Sequence, residues 1–314
     1  MNTVLNLVIP CYNEEKVLPI TIKEIENKIN KLIKEKKISK KSKVVLVNDG
    51  SKDNTWQIIS DIHEKNNMFV GVCLSRNKGH QSALLAGLMY AKDHCDICIS
   101  MDADLQDDIN AIDEMIDKYN DGAEIVYGVR SSRKKDSFFK RITAEGFYKF
   151  MKLMGVEIVF NHADYRLMSK RVLIELEKYK EVNLFLRGIV PEIGFKTDIV
   201  YYERGVRQAG ESKYPLKKML SFAIDGITSF SVRPLKMITG IGFITLILSF
   251  IVLIYSIVMK FTGNTVSGWT FIVCSIWLIG GIQILCLGVI GEYIGKIYSE
   301  TKERPRYIIE KILD

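Results

Sequence analysis

The chain has few cysteines, and it lacks the short motifs that mark several common enzyme classes. Its six cysteines among 314 residues are too few for a disulfide scaffold. There is no G-x-x-x-x-G-K-[ST] loop and no G-x-G-x-x-G after a strand, which disfavours P-loop and dinucleotide-binding proteins. A G-x-S-x-G elbow and an H-E-x-x-H pair are also absent. With 47% hydrophobic and 26% charged residues, the chain is neither disordered nor of low complexity.

Charge is missing from two long stretches near the C-terminus. Ile238–Met259 and Trp269–Ile290 are 22 residues each and contain no Asp, Glu, Lys or Arg. A helix needs about 20 apolar residues to cross a bilayer. A pair of buried helices in a soluble core is the alternative, but core helices of this length normally carry polar residues on one face. We therefore predict two transmembrane helices.

The basic residues around these stretches predict the topology. They lie before the first stretch and after the second, with only Lys260 between the two. They are Arg233, Lys236, Lys296, Lys302, Arg304 and Arg306. Since such residues stay on the cytoplasmic side, we expect a protein of the cell membrane with both termini in the cytosol. The first residues have no basic n-region and no adequate apolar stretch, so we expect no signal peptide.

Residues 1–215 alternate short apolar runs with helical patterns. The apolar runs, which predict strands, are Leu5–Ile9, Val44–Val47, Phe69–Leu74, Ile97–Met101 and Ile125–Val129. The helical patterns cover Lys16–Lys37, Thr55–Lys65, Gln81–Asp93 and Ala111–Tyr119. This alternation predicts an α/β domain of Rossmann-like architecture with a mainly parallel sheet, whose ligands bind at the carboxyl ends of the strands.

The remaining residues complete the predicted domain organisation. Residues 216–236 carry an apolar stripe at helical spacing, which fits a helix in the membrane interface or one packed on the preceding domain. We therefore divide the chain into a cytosolic domain (1–215), an amphipathic juxtamembrane segment (216–236), a two-helix transmembrane hairpin (237–295) and a cytosolic tail (296–314). Four glycines in or next to the second apolar stretch suggest close helix contacts, within the hairpin or between protomers of a homo-oligomer. They are Gly280, Gly281, Gly288 and Gly291.

Acidic residues follow the predicted strands. Asp102 and Asp104 come after the fourth apolar run, and positions i and i+2 of an extended chain point the same way. Two converging carboxylates repel each other unless a cation lies between them, and such oxygen ligands suit Mg²⁺ or Mn²⁺. An Asp-rich turn without a metal is the alternative. Asp49-Gly50-Ser51, after the second run, is by itself only a turn and helix cap.

Together and in this order, these motifs resemble those of a membrane-anchored family 2 glycosyltransferase with the GT-A fold. The resemblance covers nearly the whole chain. Within the family the chain is most similar to the polyprenyl-phosphate glycosyltransferases, the group that includes dolichol-phosphate mannose synthase and bactoprenol glucosyltransferase. The matching segments are VIPCYNE (8–14), VNDGS (47–51), RNKG (76–79), MDADLQ (101–106), DYR (164–166) and RGVRQAGESKY (204–214).

The resemblance implies roles on the donor side. The residues implied to hold the nucleotide base and ribose are Pro10, Tyr12, Glu14 and Asp49. Those implied for the metal and the donor diphosphate are Asp102, Asp104 and Gln106. The divalent cation, Mg²⁺ or Mn²⁺, would neutralise charge that develops on the departing nucleoside diphosphate.

The resemblance also implies an acceptor that is a phosphate monoester. Such a group has a second pKa of about 6, so it is mostly dianionic at neutral pH and already a nucleophile. Arginine and lysine hold phosphate oxygens best. The candidates in the matching motifs are Arg130, Arg166, Arg204, Arg207, Ser212 and Lys213. Asp164 matches the position often assigned as a base, but we expect it to orient Arg166 or the acceptor. With Asp104 and Arg166 it forms the predicted catalytic set.

The resemblance therefore predicts an enzyme that transfers one sugar, with inversion, from a nucleoside diphosphate to polyprenyl phosphate at the cytoplasmic face of the membrane. UDP-glucose and undecaprenyl phosphate are the expected substrates. The Gln-x-x-Arg-Trp motif of processive synthases is absent, which agrees with single transfer. The alternatives are another lipid acceptor for the same fold, or a membrane-bound nucleotide-sugar sensor without catalysis. We expect no nucleic-acid partner.

Overall fold

The computed structural model describes residues 3–131, 162–182, 184–203, 205, 231, 233–261 and 268–314. The chain divides into two compact units, which are described separately. The first unit is an α/β domain that also takes in the end of the chain, Arg304–Asp314. The second unit contains two long helices.

The first unit contains eight strands and six helices among the described residues. The strands are β1 (Leu5–Cys11), β2 (Lys43–Asn48), β3 (Phe69–Leu74), β4 (Ile97–Ser100), β5 (Ile125–Arg130), β6 (His162–Ser169), β7 (Thr197–Tyr202) and β8 (Ile309–Leu313). The helices are α1 (Leu18–Lys34), α2 (Thr55–Lys65), α3 (His80–Lys92), α4 (Ala111–Asn120), α5 (Lys170–Glu177) and α6 (Leu186–Glu192).

The strands form one sheet in the order β7-β5-β6-β4-β1-β2-β3-β8. Four neighbouring pairs are parallel, namely β1 with β2, β1 with β4, β2 with β3, and β5 with β7. Every residue of β1 is buried, as expected for a strand covered by helices on both faces. The prediction of a mainly parallel sheet is confirmed. The carboxyl ends of β1, β2 and β4 therefore meet at one edge, where ligands of such sheets bind.

Helix α1 shows how the apolar pattern builds the layer on the sheet. Its buried apolar residues recur every three or four positions and are Leu18, Ile22, Ile25, Ile29 and Leu32. The helix is shorter than the predicted Lys16–Lys37. Residues 15–17 form a turn, and Lys36 has a φ of 59°, a left-handed conformation that an α-helix does not continue through.

The last residues of the chain add a strand that the sequence analysis did not predict. β8 pairs antiparallel with β3, with Leu313 opposite Gly71 and Ile309 opposite Leu74. The N–H of Ser75 donates to the carbonyl of Ile308, which continues this pairing beyond the strand (3.0 Å). The segment 296–314 is therefore not a simple tail, because its end completes the sheet of the first unit.

Among the described residues, the second unit contains α7 (Arg233–Phe261) and α8 (Trp269–Thr301), which include the two uncharged stretches. Large apolar side chains are exposed on both helices, among them Phe243 (64%) and Ile284 (73%). Within the described residues, the segment Leu278–Thr301 is long and apolar enough to cross a membrane, and it is not buried inside the structure. It overlaps the second predicted span, and the first span stays a prediction.

Two further predictions concern this part of the chain. Most of the amphipathic segment, residues 216–230, lies outside the described residues. At Gly280, Gly281, Gly288 and Gly291 of α8, an added Cβ would meet no described atom within 4 Å. The predicted close contact at these glycines is therefore not made with another described residue, and a contact between protomers stays a prediction.

Candidate active site

Three loops meet at the carboxyl edge of β1, β2 and β3. The loop after β1 is joined to the loop after β2, because the N–H of Asn13 donates to the Ser51 hydroxyl (3.0 Å) and the N–H of Lys52 donates to Asn13 Oδ1 (2.9 Å). The N–H of Glu14 donates to Thr55 Oγ1 at the start of α2 (2.9 Å). These bonds place the two predicted donor-binding motifs side by side.

Asp49 joins the third loop to this edge. Its carboxylate is almost fully buried and accepts hydrogen bonds from the N–H groups of Lys78 (2.7 Å) and Gly79 (2.9 Å). Burial raises the pKa of Asp49, although the two N–H groups act in the opposite direction. The carboxylate thus fixes the loop before α3, so the predicted contact with a nucleotide would be an additional role.

Gly50 allows the loops to approach this closely. Its φ is +60°, and a Cβ at this position would lie 2.5 Å from the backbone nitrogen of Asn77 and 2.6 Å from the carbonyl carbon of Arg76. A side chain would be strained and would also collide with backbone. Of the other predicted donor residues, Pro10 lies buried in β1, while Tyr12 exposes 43% of its surface beside the edge.

The turn after β4 carries the predicted metal ligands. β4 ends at Ser100, so Asp102 and Asp104 lie beyond the strand and Asp104 is in a turn, contrary to the i, i+2 argument for an extended chain. The turn is fixed because Asp104 Oδ1 accepts from the N–H of Gln106 (3.1 Å) and the Thr21 hydroxyl donates to the carbonyl of Ala103 (2.7 Å).

Negative charge is crowded around Asp102. Desolvation raises the pKa of Asp102 to about 6; His80 opposes the increase, and the carboxylates of Asp107, Asp164 and Asp104 add to it. A divalent cation would relieve this repulsion, and carboxylate oxygens are suitable ligands for it. Within the described ranges, no three Asp, Glu, His or Cys side chains form a ready-made cation site. A cation here would need further oxygens, which phosphate substrates commonly supply.

His80 connects Asp102 with Asp164, and the sequence analysis did not identify it. The first residue of α3, it lies with Nε2 3.6 Å from Asp102 Oδ1 and 3.6 Å from Asp164 Oδ2. Burial opposes its protonation, but Asp164 and Asp102 together raise the pKa of His80. One imidazole thus joins the DYR motif of β6 to the carboxyl edge of β1, β2 and β4, where the donor is predicted to bind (the donor edge).

Asp164 is held by two arginines. Arg166 Nη2 donates to its Oδ1 at 2.6 Å. Arg187 of α6 donates from Nε to Oδ1 (3.2 Å) and from Nη2 to Oδ2 (3.0 Å). Although burial opposes ionisation, Arg187, His80 and Arg166 hold the pKa of Asp164 well below its usual range. A carboxylate this strongly stabilised as the anion is a poor proton acceptor near neutral pH.

Arg166 was predicted to contact the acceptor phosphate, but its side chain is buried. Its side chain is 1% exposed, and Nη1 donates to the carbonyl of Leu186 (3.2 Å). It sits on β6, where it pairs with Ser100 of β4. A side chain at this position supports Asp164 from inside the domain and presents almost no surface to a substrate.

Arg130 lies at the end of β5 in a separate polar group. Its Nη2 is 3.4 Å from Asp107 Oδ1, and its Nε donates to the Tyr202 hydroxyl (3.3 Å). The same hydroxyl donates to Asp107 Oδ1 (2.5 Å). The Arg130 side chain stays 28% exposed while Asp107 is buried, so Asp107 and Tyr202 fix the arginine and leave one side accessible.

Arg204, Arg207, Ser212 and Lys213 lie outside the described residues. Four residues around the site were missed by the sequence analysis, namely His80, Asp107, Arg187 and Tyr202. His80 directly follows the RNKG segment and Asp107 directly follows MDADLQ, so adjacency to a motif was a usable signal for these two. For Arg187 and Tyr202 the sequence offered no comparable signal.

Comparison with known proteins gives matches to both units. Residues 6–177 match the family model described as glycosyl transferase family 2, and residues 233–297 match the model described as the GtrB C-terminal hairpin. The chain is 53% identical to the uncharacterized glycosyltransferase YkoT of Bacillus subtilis, over 98% of this chain and 91% of that protein.

A second relative has a more specific name. The chain is 40% identical to the bactoprenol glucosyl transferase of Shigella phage SfII, over 98% of this chain and 97% of that protein. Among solved structures, mannosyl-3-phosphoglycerate synthase from Rubrobacter xylanophilus is similar with a TM-score of 0.46 and 13% identity, over 71% of each chain.

Proposed function

The chain belongs to glycosyltransferase family 2, and from this premise we propose that it transfers one glucose from UDP-glucose to polyprenyl phosphate. The observation that carries the choice of acceptor is the similarity to a bactoprenol glucosyl transferase over 98% of the chain, the hairpin included. The proposed acceptor is undecaprenyl phosphate. The product would be a glucosyl phosphodiester in which the configuration at the anomeric carbon is inverted relative to the donor.

The donor would bind at the edge formed by β1, β2 and the turn after β4. Tyr12 is exposed there and would contact the base, while Asp49 and the Asn13–Ser51 bond keep the surrounding loops in place. Asp102, Asp104 and Gln106 would hold a divalent cation, Mg²⁺ or Mn²⁺, because they supply oxygen donors where carboxylates already crowd. When bound, the cation would neutralise charge on the departing diphosphate.

The acceptor would need positioning more than deprotonation. Its phosphate is mostly dianionic at neutral pH and can attack the anomeric carbon directly. The low pKa of Asp164 and its bonds to two arginines support a positioning role for this carboxylate, with Arg166 as its buried support. Arg130 remains a candidate for direct phosphate contact, since Asp107 and Tyr202 fix it while part of it stays exposed.

The two long helices would anchor the enzyme beside its lipid. The exposed apolar side chains of α7 and α8 support a place in the bilayer, because a soluble protein rarely exposes so much apolar surface. β8 supports an even number of crossings, since the chain leaves the first unit before α7 and joins its sheet again after α8. Catalytic unit and C-terminus would therefore share the cytosolic side, as the basic flanks also predict.

Reconstitution tests the proposal directly. The purified full-length chain is incubated with UDP-glucose, undecaprenyl phosphate and Mg²⁺ or Mn²⁺, and the lipid product is identified by mass spectrometry. We expect a polyprenyl phosphate hexose as the product, and we expect a chelator of divalent cations to suppress its formation. Asp104→Asn should abolish turnover because it removes one of the two negative charges that would hold the cation, and the neutral amide oxygen binds a divalent cation more weakly than a carboxylate does. Asp61→Asn, on the exposed face of α2, is the matched control and should leave turnover intact.

Three results would contradict parts of this proposal. Glucosylation of a diacylglycerol but not of the lipid phosphate would show that the proposed acceptor is wrong. Binding of a nucleotide sugar without any transfer would favour a sensor. Full turnover by Asp104→Asn, or in excess chelator, would remove the metal from the mechanism.

A further inference from the structure

The loop before α3 (residues 75–79) is held at both of its ends by backbone N–H groups. The N–H groups of its last two residues donate to the carboxylate of Asp49 (2.7 and 2.9 Å). At its start, the N–H of Ser75 donates to the carbonyl of Ile308 (3.0 Å). One end of the loop is thus fixed by the donor edge, and the other end is fixed by the C-terminal segment of the chain.

Backbone contacts determine the position of this loop, because the side chains of Ser75, Arg76 and Asn77 are exposed. The loop backbone lies against the turn after β2, so that a Cβ on Gly50 would be only 2.5 Å from the nitrogen of Asn77. A shift of the loop would therefore also disturb the turn that carries Asp49 and Gly50. This turn lies at the edge where the nucleotide donor is proposed to bind.

β8 reaches the start of the loop because it runs antiparallel to β3. Its first residue, Ile309, lies opposite Leu74, the last residue of β3. Just before β8, Arg306 Nη1 donates to the carbonyl of Tyr179 (2.6 Å), which ties this segment to the same unit. The carbonyl of Ile308 is therefore held between two fixed points, the side chain of Arg306 and the pairing with β3.

β8 contributes to the first unit mainly through its backbone. Ile308 is 52% exposed and Ile312 is 44% exposed, so their side chains bury little apolar surface. The edge of a sheet presents unpaired N–H and C=O groups, and β8 pairs with those of β3. The bond from Ser75 extends this pairing beyond the strand and into the loop.

We propose that β8 is a positioning element for the nucleotide donor: the carbonyl of Ile308 holds the start of the loop before α3, which keeps the donor edge in the conformation that binds a nucleoside diphosphate. This inference rests on the proposed function, because it takes a nucleoside diphosphate as the ligand of that edge. It predicts that the affinity for UDP depends on the last residues of the chain without a contact between them and the nucleotide.

Removing the N–H of Ser75 in the full-length protein tests the proposal. Ser75→Pro abolishes the bond to Ile308, because proline has no backbone N–H. We expect the affinity for UDP, measured by calorimetry with Mn²⁺, to fall by about 2- to 12-fold, the change expected for one backbone hydrogen bond. Hydrogen exchange, measured by mass spectrometry, should become faster in residues 75–79. Ser75→Ala keeps the N–H and is the matched control, for which we expect unchanged affinity and exchange.

A second variant tests the same bond from the side of the C-terminal segment. Arg306→Ala removes the contact with the Tyr179 carbonyl and loosens the segment that carries Ile308, so UDP affinity should fall and residues 75–79 should exchange faster. In the Ser75→Pro background, Arg306→Ala should cause no further loss of affinity, because two changes that act through one bond are not additive. Arg306→Lys keeps a cationic donor and should recover part of the affinity.

The proposal is overturned if Ser75→Pro binds UDP as tightly as the unmodified protein, or if Arg306→Ala causes the same loss of affinity in both backgrounds. Lower thermal stability of both variants with unchanged UDP affinity also overturns it, because β8 would then only complete the sheet. If Ser75→Pro does not fold, Arg306→Ala decides, and unchanged exchange of residues 75–79 in that variant overturns the proposal.

Failure of the proposed function shows differently, as an absence of lipid product from the unmodified protein. Hydrogen exchange of the loop before α3 does not depend on turnover, and it still decides whether β8 holds this loop.

Discussion

Replacing Gly50 by alanine should weaken nucleotide binding without a change in any side chain that touches the nucleotide. The alanine must adopt the φ of +60° that Gly50 has, which costs about 1–2 kcal/mol for a residue with a side chain. It also places a Cβ 2.5 Å from the Asn77 nitrogen and 2.6 Å from the Arg76 carbonyl carbon. These are backbone atoms, so the loop before α3 must move as a whole, at a further cost of about 1–3 kcal/mol.

That loop carries the N–H groups that hold Asp49 and leads directly into His80. If UDP binds only when this loop is in its original position, the steric cost of about 1–3 kcal/mol is subtracted from the binding free energy. The affinity for UDP should then fall by about 5- to 150-fold. Calorimetry with UDP and Mn²⁺ gives the affinity, and thermal unfolding gives the change in stability.

Gly122→Ala is the control for backbone strain alone. Gly122 also has a positive φ (+92°), but an added Cβ would meet only the end of the Lys196 side chain, at 3.6 Å. It lies between α4 and β5, away from the donor edge. We expect this variant to lose stability and to keep its affinity for UDP. Equal affinities of Gly50→Ala, Gly122→Ala and the unmodified protein would refute the reasoning.

Two further predictions concern pH and topology. Because Arg187, His80 and Arg166 hold the pKa of Asp164 below its usual range against the effect of burial, its contribution to stability is present above the unfolded pKa of about 3.9 and is lost as the pH falls towards the folded pKa. Acid unfolding curves should therefore differ between Asp164→Asn and the unmodified protein by an amount that is largest near neutral pH and shrinks below about pH 4; a constant difference from pH 7 to pH 3 would contradict this. A cysteine placed at Asn264 should react with a membrane-impermeant thiol reagent on intact cells and one placed at Ser51 should not; the reverse pattern would show that the hairpin has the opposite orientation.

The central strands could be predicted from the sequence because their signal is local. β1 and β2 consist mainly of buried aliphatic residues, and such runs are typical of a parallel sheet covered on both faces. β6 reads HADYRLMS and β8 reads IEKIL, and their polar and charged residues hide the pattern. Both strands pair with partners far away in the chain, so their place in the sheet depends on tertiary contacts that no short window of sequence contains.

The residues of the candidate site likewise include some that the sequence predicts and others whose position depends on tertiary contacts. Asp102 and Asp104 were identifiable because they follow a strand, and the strand end places them at the ligand-binding edge. The burial of Arg166 was not predictable, since arginine is seldom fully enclosed. Its position depends on the carboxylate of Asp164 and the carbonyl of Leu186, and the latter comes from a helix twenty residues further along. The residue types of the site can be predicted from the sequence, but the fold determines which of them face a substrate.

The pairing of β8 with β3 also fixes an order of events during synthesis. Leu74 leaves the ribosome early, whereas its partner Ile309 belongs to the last six residues of the chain. The outer edge of β3 therefore stays open while both long helices are being made, and an open strand edge is a site of mispairing. Only a chain whose hairpin is already synthesised can close that edge. A chain whose synthesis stops within α8 therefore has an unfinished sheet in its first unit, and an incompletely folded unit is more easily degraded by proteases.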